Sequence, residues 1–280
     1  MVIKTKIKKM YLINNNFNKR NEIQSGKKIV NDIKTFMDLK RKLSIHYPLK
    51  PAYHSVIPLN IFQTWWTKEN LTTSMFESVN TIKNNNPKFH YYLFDDSDCR
   101  VFIQKNYGKD VLTAYDTLVP GAYKADLWRY CILYKLGGIY LDIKYKPINS
   151  FKFINLTEKE HWVLDADNNG IYNALIVTRP GNSILKRAIE KVVENVKKRF
   201  YGGSCLDPTG PGMLSSFFSL QDKRELDMKH EFYFNNMNNR LIYYNNIPIF
   251  KSYEGYLNDY NNTKKTEHYA GLWGQRRIYH

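Results

Sequence analysis

Cysteine is scarce: Cys99, Cys131 and Cys205 are the three in 280 residues. They are odd in number and widely spaced, so no disulfide framework follows. No Cys-x-x-Cys pair or Cys/His zinc spacing occurs, and buried, reduced thiols are expected. Long apolar runs are missing as well. None approaches the ~18 residues that a membrane-spanning helix needs. The amino-terminal MVIKTKIKKMYLINNNF is basic but lacks the apolar stretch of roughly 7–15 residues that marks a signal peptide. A cytoplasmic or virus-associated setting is therefore expected. Internal repeats, RNA-recognition signatures and basic zippers are also absent.

What is present suits a packed catalytic body. Hydrophobic residues make up 43% and aromatics 15% of the chain, which argues against wholesale disorder. The 22 tyrosines join apolar area to a hydrogen-bonding tip, a combination suited to polar clefts. The formal charge of +16 is unevenly spread. Residues 1–50 hold thirteen Lys/Arg against three Asp/Glu, leaving the other 230 residues only mildly basic. The chain thus divides into a basic, partly helical extension over 1–50 and a larger domain over 51–280. The extension would meet an anionic membrane surface or a partner, or simply pack. A polyanion-binding or nucleic-acid-binding protein is the rival reading that this charge keeps open, and the mildly basic body suits a phosphate-bearing substrate or an anionic surface as well as it suits nucleic acid.

Local patterns give the order of elements. Ile29–Leu43 has helical periodicity. Asn60–Trp66 (NIFQTWW) reads as a first strand, and Thr72 or Thr73 caps a helix through about Lys83, with Met75, Phe76, Val79 and Ile82 inward. Phe89–Phe94 is a second strand, followed by a helix that Asp95-Asp96-Ser97 caps. His161–Leu164 and Ile171–Thr178 read as further strands, and Asn182 or Ser183 caps a helix to about Phe200. This alternation predicts an α/β fold with a mixed, mostly parallel central sheet. Asp207–Gly212 (DPTGPG) is either a helix entrance offering N–H groups to an anion or an ordinary turn.

The chain turns on Ala122–Pro147 (AYKADLWRYCILYKLGGIYLDIKYKP). Leu127, Tyr130, Cys131 and Tyr134 recur at helical spacing. Gly137-Gly138 stops the helix, and Ile139-Tyr140-Leu141 forms a short buried strand. Asp142 then stands at the strand's carboxyl end, where open α/β sheets place ligand chemistry. Asp126 and Arg129, three residues apart, are neighbours on the helix surface. They form either a surface ion pair or, with Asp142, one charged cleft.

The segment AYKADLWRYCILYKLGGIYLDIKY resembles the sugar-binding region of DXD-motif glycosyltransferases of the family 32 type. That group includes initiating mannosyltransferases and capsular-polysaccharide transferases. IPLNIFQTWW, GIYNALIVTRPGNS, TGPGML and the terminal His268 and Trp273 follow in family order, so the resemblance spans roughly residues 55–275. It implies a GT-A, Rossmann-like fold and retaining transfer of a hexose from a UDP- or GDP-sugar to a glycan or protein acceptor. It also implies a divalent cofactor, Mn²⁺ or Mg²⁺. Carried over by position, Asp126, Arg129, Asp142 and Lys144 are the catalytic set. Gln63, Trp65, Trp66, Asp126, Arg129, Asp142 and Trp273 would bind the donor, and Asp142 and His268 the metal. Asp165, Asp167, Asn173 and Thr209 would lie on the acceptor side.

One position departs from the pattern. Asp142-Ile143-Lys144 has lysine where the motif's second acid is expected to bind the metal. Either Lys144 itself neutralises the diphosphate, or Asp142 and His268 keep a weaker metal site, or the chain is an inactive transferase-like scaffold.

Overall fold

The computed structural model describes residues 34–280, apart from 36, 234–238, 264 and 265. Two compact units divide the chain, Met1–Ile45 and His46–His280. In the first, residues 34–43 are helical with residue 36 left aside (α1). The rest of the helix predicted from Ile29, like most of the basic extension, lies outside the described residues.

The second unit is α/β, as expected, and runs in this order: β1 (Asn60–Thr64), α2 (Thr73–Asn85), β2 (His90–Phe94), α3 (Asp96–Asn106), α4 (Lys109–Thr117), α5 (Gly121–Leu136), β3 (Gly138–Leu141) and β4 (Tyr145–Pro147). A 3-10 turn at Phe153–Leu156 leads to β5 (His161–Leu164), β6 (Ile171–Thr178), α6 (Ser183–Lys197), α7 (Pro211–Ser215) and α8 (Leu220–Arg224). The chain closes with β7 (Met228–Phe232), β8 (Arg240–Tyr244), β9 (Ile247–Ser252), α9 (Tyr256–Thr263) and α10 (Tyr269–Gly274).

Among the described residues, nine strands form one sheet in the order β2-β1-β3-β6-β5-β7-β8-β9-β4. The sheet is mixed. Its parallel character belongs to β2-β1-β3 and to the β5/β7 pair, and the other ladders are antiparallel. Parallel neighbours need crossover helices, which α2 and the α3-α4-α5 run supply. β3 thus sits between β1 and β6, with Asp142 at its exit.

Capping fixes where the helices begin. Thr72 accepts the Met75 N–H at 3.3 Å, and Asn182 accepts the Ile184 and Leu185 N–H groups. Asp95 and Asp98 form a reciprocal capping box on α3. Phe76, expected inward on α2, is 54% exposed, while Met75, Val79 and Ile82 are buried. The helical period places Phe76 at the edge of that stripe.

α5 departs most from expectation. A one-sided apolar helix was predicted, but Leu127 through Leu133 are all buried, Arg129 included. The helix lies under the sheet and also packs against α3 and α6, so no face of its central turns remains for water. Gly137 ends it at φ 60°, a left-handed conformation, and a Cβ there would meet Pro180 Cδ at 2.6 Å. Gly138, at φ 117°, passes so close to Asn60 that a Cβ would lie 2.8 Å from its carbonyl oxygen. These two glycines let β3 leave α5 and enter the sheet within one residue.

Gly137→Ala is accordingly expected to cost about 1–3 kcal/mol, from left-handed strain plus the Pro180 clash. Urea unfolding checks this, and an unchanged midpoint would contradict it.

Candidate active site

Helix α5, the exit of β3 and the middle of β6 bring four predicted residues to one point. The Arg129 guanidinium lies 3.2 Å from Asp126 Oδ1 and 3.5 Å from Asp142 Oδ1. It also donates to the Asn173 carbonyl at 2.7 Å and lies over the Tyr140 ring at 4.3 Å. Asp126 accepts from the Asn173 amide at 2.9 Å and from the Thr209 hydroxyl at 2.7 Å. Asp142 Oδ1 accepts the Tyr140 hydroxyl at 2.7 Å, and Oδ2 is paired with Lys144. The Tyr145 N–H bonded to the Asp142 carbonyl makes the turn that folds Lys144 back over the carboxylate.

Asp126 and Arg129 are therefore not the surface pair that spacing alone permitted. Both are buried, and an ion pair removed from water is tolerated only when its remaining hydrogen bonds are filled. Asn173 and Thr209 fill them. Burial still pushes the Asp126 carboxyl above its ordinary range, against the pull of Arg129. Asp142 goes the other way. Burial raises it, but Lys144 and Arg129 outweigh that, so its carboxyl sits below the usual range.

Two adjoining cavities share Arg129, Asp142 and Lys144 as wall. One, of about 370 Å³, is lined by Trp65 and Trp66, whose indole N–H groups have no partner among the described residues. The other, of about 540 Å³, is lined by Asp126, Asn173, Asp165, Asp167 and His268. Both fall in the size range of ligand sites.

Three predicted residues line neither cavity. Gln63 is fully buried, donating to the Leu141 carbonyl at 3.1 Å and accepting from the Tyr91 hydroxyl at 2.6 Å, so it braces β1 against β3. Trp273 donates to the Tyr201 carbonyl at 2.7 Å and packs on the core. Thr209 reaches the site indirectly, its hydroxyl donating to Asp126. In the DPTGPG segment, the Gly210 and Gly212 N–H groups bond the Leu206 carbonyl, so of the two readings the turn holds.

The structure adds residues that the sequence did not flag. Tyr130 takes a hydrogen bond from Asn173 at 2.9 Å and gives one to the Thr209 carbonyl at 2.8 Å. His230 Nδ1 lies 2.9 Å from Asp165, its ring stacks on Tyr172 at 3.9 Å, and its Nε2 has no partner among the described residues. Arg240 lines the larger cavity beside it. The spacing of Tyr172 and His230 within their strands was visible, but which strands pair was not.

The donor set does not suit a divalent cation. Hard cations require several oxygen ligands, whereas Asp142 is the lone carboxylate of its motif and already faces Lys144, Arg129 and Tyr140. The His268 Nδ1 is engaged by the Ala270 N–H at 3.2 Å. Among the described residues no group of three or more His, Cys, Asp or Glu side chains is gathered to hold a metal.

Comparison with known proteins places this geometry in context. Residues 73–165 match the model of a family described as a glycosyltransferase sugar-binding region containing a DXD motif. The initiation-specific alpha-1,6-mannosyltransferase of Candida albicans is 30% identical over 121 residues, covering 40% of this chain and 31% of that protein. The inositol phosphoceramide mannosyltransferase 3 of Schizosaccharomyces pombe is 30% identical over 175 residues, covering 60% of this chain and 47% of that protein. The chain thus spans about half or less of the length of these relatives. Among solved structures, the PaToxG glycosyltransferase aligns with a TM-score of 0.42 at 15% identity, over 68% of this chain and 77% of that one. Residues 73–165 thus resemble the sugar-binding region of DXD-motif glycosyltransferases, and the α/β architecture agrees with the GT-A expectation.

The buried His230 gives a pH test of the site. Burial holds its imidazole below the ordinary histidine range, with Asp165 opposing. Its contribution to stability is then complete above about pH 6.5, the unfolded value, and is lost as pH falls through the lower folded value. Urea unfolding between pH 7.5 and 5 should show a steeper acid loss for the wild type than for His230→Gln. Parallel curves would contradict the assignment.

Proposed function

We propose that the chain is a retaining glycosyltransferase that moves a hexose from a UDP- or GDP-sugar to a glycan or protein acceptor. The observation that carries this reading is the Asp126–Arg129–Asp142 cluster, held by Asn173 and Thr209 and opening on two adjoining cavities. In this reading the Trp65/Trp66 cavity takes the nucleoside base, since the two indoles offer aromatic surface to it. Arg129, Asp142 and Asn173 hold the sugar hydroxyls, and Lys144 faces the diphosphate. The 540 Å³ cavity beyond accommodates the sugar and the acceptor, with Asp165 and Asp167 at its far side. The two fungal relatives are named mannosyltransferases, so mannose comes first among the hexoses to screen.

The chemistry follows from what the carboxylates are doing. A double displacement needs one carboxylate as nucleophile and one carboxyl as acid, about 5 Å apart. Asp126 has both oxygens engaged by Asn173 and Thr209, and Asp142 has both engaged by Tyr140 and Lys144. Neither is free to attack the anomeric carbon. A same-face transfer asks less of the protein. The bond from the anomeric carbon to the leaving phosphate oxygen breaks and the acceptor oxygen bonds to that carbon from the same side. The acceptor's proton passes to the departing diphosphate. The enzyme then supplies orientation and positive charge where negative charge develops.

Asp142→Asn is expected to lower donor hydrolysis and transfer by about 10²–10³-fold, the usual cost of removing one preorganised electrostatic contact. Assays use a panel of UDP- and GDP-hexoses, with and without Mn²⁺. Full activity in both Asp142→Asn and Arg129→Ala would remove this site from the reaction.

A further inference from the structure

The lysine at the motif's second position has a partner in charge that lies far away in sequence. β4 begins at Tyr145, which pairs with Ser252 on β9. The Tyr253 N–H bonds the Lys144 carbonyl at 2.9 Å, so Lys144 is fixed against the end of β9. On the other side of β9, Arg240 opens β8 and its backbone N–H donates to the Ser252 hydroxyl at 3.2 Å. A two-residue turn, Asn245-Asn246, with both residues left-handed, sets the β8–β9 register that brings this about. The two cationic residues therefore flank one strand end, and both line the larger cavity.

Their carboxylate neighbours are accounted for. Asp126 faces Arg129, Asp142 faces Lys144 and Arg129, and Asp165 faces His230. Asp167 accepts the Asn169 and Gly170 N–H groups and caps a turn. Arg240 takes part in no ion pair among the described residues. Its guanidinium is placed 5.9 Å from the Phe232 ring centroid, the residue is partly buried, and the Asp142 carboxylate acts on it without pairing with it. A cation on a cavity wall without a carboxylate partner is a site for an anionic ligand.

Charge bookkeeping points the same way. Replacing the motif's second aspartate by Lys144 changes the local charge by two units, the charge that a divalent cation would bring. The donor set around Asp142 does not suit such a cation, as shown above. We infer that Lys144 and Arg240 together form a diphosphate-binding site built from side chains, so that nucleoside diphosphates bind this chain without a divalent metal. The inference rests on the nucleotide-sugar reading and deepens it. Arginine offers a planar fork to phosphate oxygens and lysine a compact charge, and the two are complementary on a diphosphate.

The test measures binding rather than turnover. GDP, UDP and inorganic pyrophosphate are titrated calorimetrically into the full chain, once in EDTA and once with Mn²⁺. Affinity for the preferred nucleoside diphosphate should agree within about twofold between the two buffers. Arg240→Met should weaken it by about 10- to 100-fold, the worth of a charge-assisted contact, and leave binding of the free nucleoside unchanged. Lys144→Asp should make binding depend on Mn²⁺. Should Lys144→Asp fail to fold, Arg240→Met on its partly exposed side chain still decides. Wild-type binding that requires Mn²⁺, or Arg240→Met binding that equals wild type, overturns the inference and leaves the donor reading standing. No diphosphate binding in either buffer overturns both.

Discussion

The buried ion pair between Asp126 and Arg129 is the constraint to which the rest of the unit is fitted. Two charges taken from water in the middle of a helix would each cost several kcal/mol if left alone. The chain answers with Asn173 from β6, Thr209 from the loop before α7 and Asp142 from the end of β3. Each comes from a different element, so the network exists only when α5, β3, β6 and that loop are all in place. Gly137 and Gly138 belong to the same constraint, because a wider turn out of α5 would carry Asp142 away from Arg129.

Energy spent on holding charges in a fixed arrangement makes sense where charge must be met by charge. Sugar hydroxyls and a diphosphate are recognised by donors and acceptors that do not have to reorganise. In the proposed reading the base lies against the two tryptophans, the sugar against the ion-pair network and the diphosphate between them. The family model is described by a DXD motif, whose two acids contrast with the acid and lysine present here. Here Asp142 and Lys144 already balance each other, and Arg240 adds the surplus positive charge that an anion would seek. In the proposed reading the site varies how the charge is supplied and keeps the donor at the Asp126–Arg129–Asp142 cluster.

Much of this was legible in the chain because it is local. The helix, glycine stop, strand and aspartate of Ala122–Pro147 follow from spacing and glycine chemistry, and the caps at Thr72, Asp95 and Asn182 from residue type. What spacing could not show was burial. Asp126 and Arg129 satisfy the rule for a surface ion pair, and only the packing of α5 on both sheet and helices makes them a core network. Gln63 and Trp273 lie near the expected place in the chain, yet their hydrogen bonds turn inward to Leu141 and Tyr201. Arg240 and His230 were silent for a different reason. Their roles depend on β9 pairing with β4 and β7 with β5, long-range ladders that no local pattern encodes.

In the proposed reading the Asp126–Arg129–Asp142 network is the seat of the donor sugar. A crystal structure of the chain with an uncleaved nucleotide hexose tests it directly. Sugar hydroxyls within hydrogen-bonding distance of Arg129, Asp142 and Asn173, with the base beside Trp65 and Trp66, are the predicted result. A nucleotide sugar bound elsewhere, with this network unchanged and untouched, would contradict it.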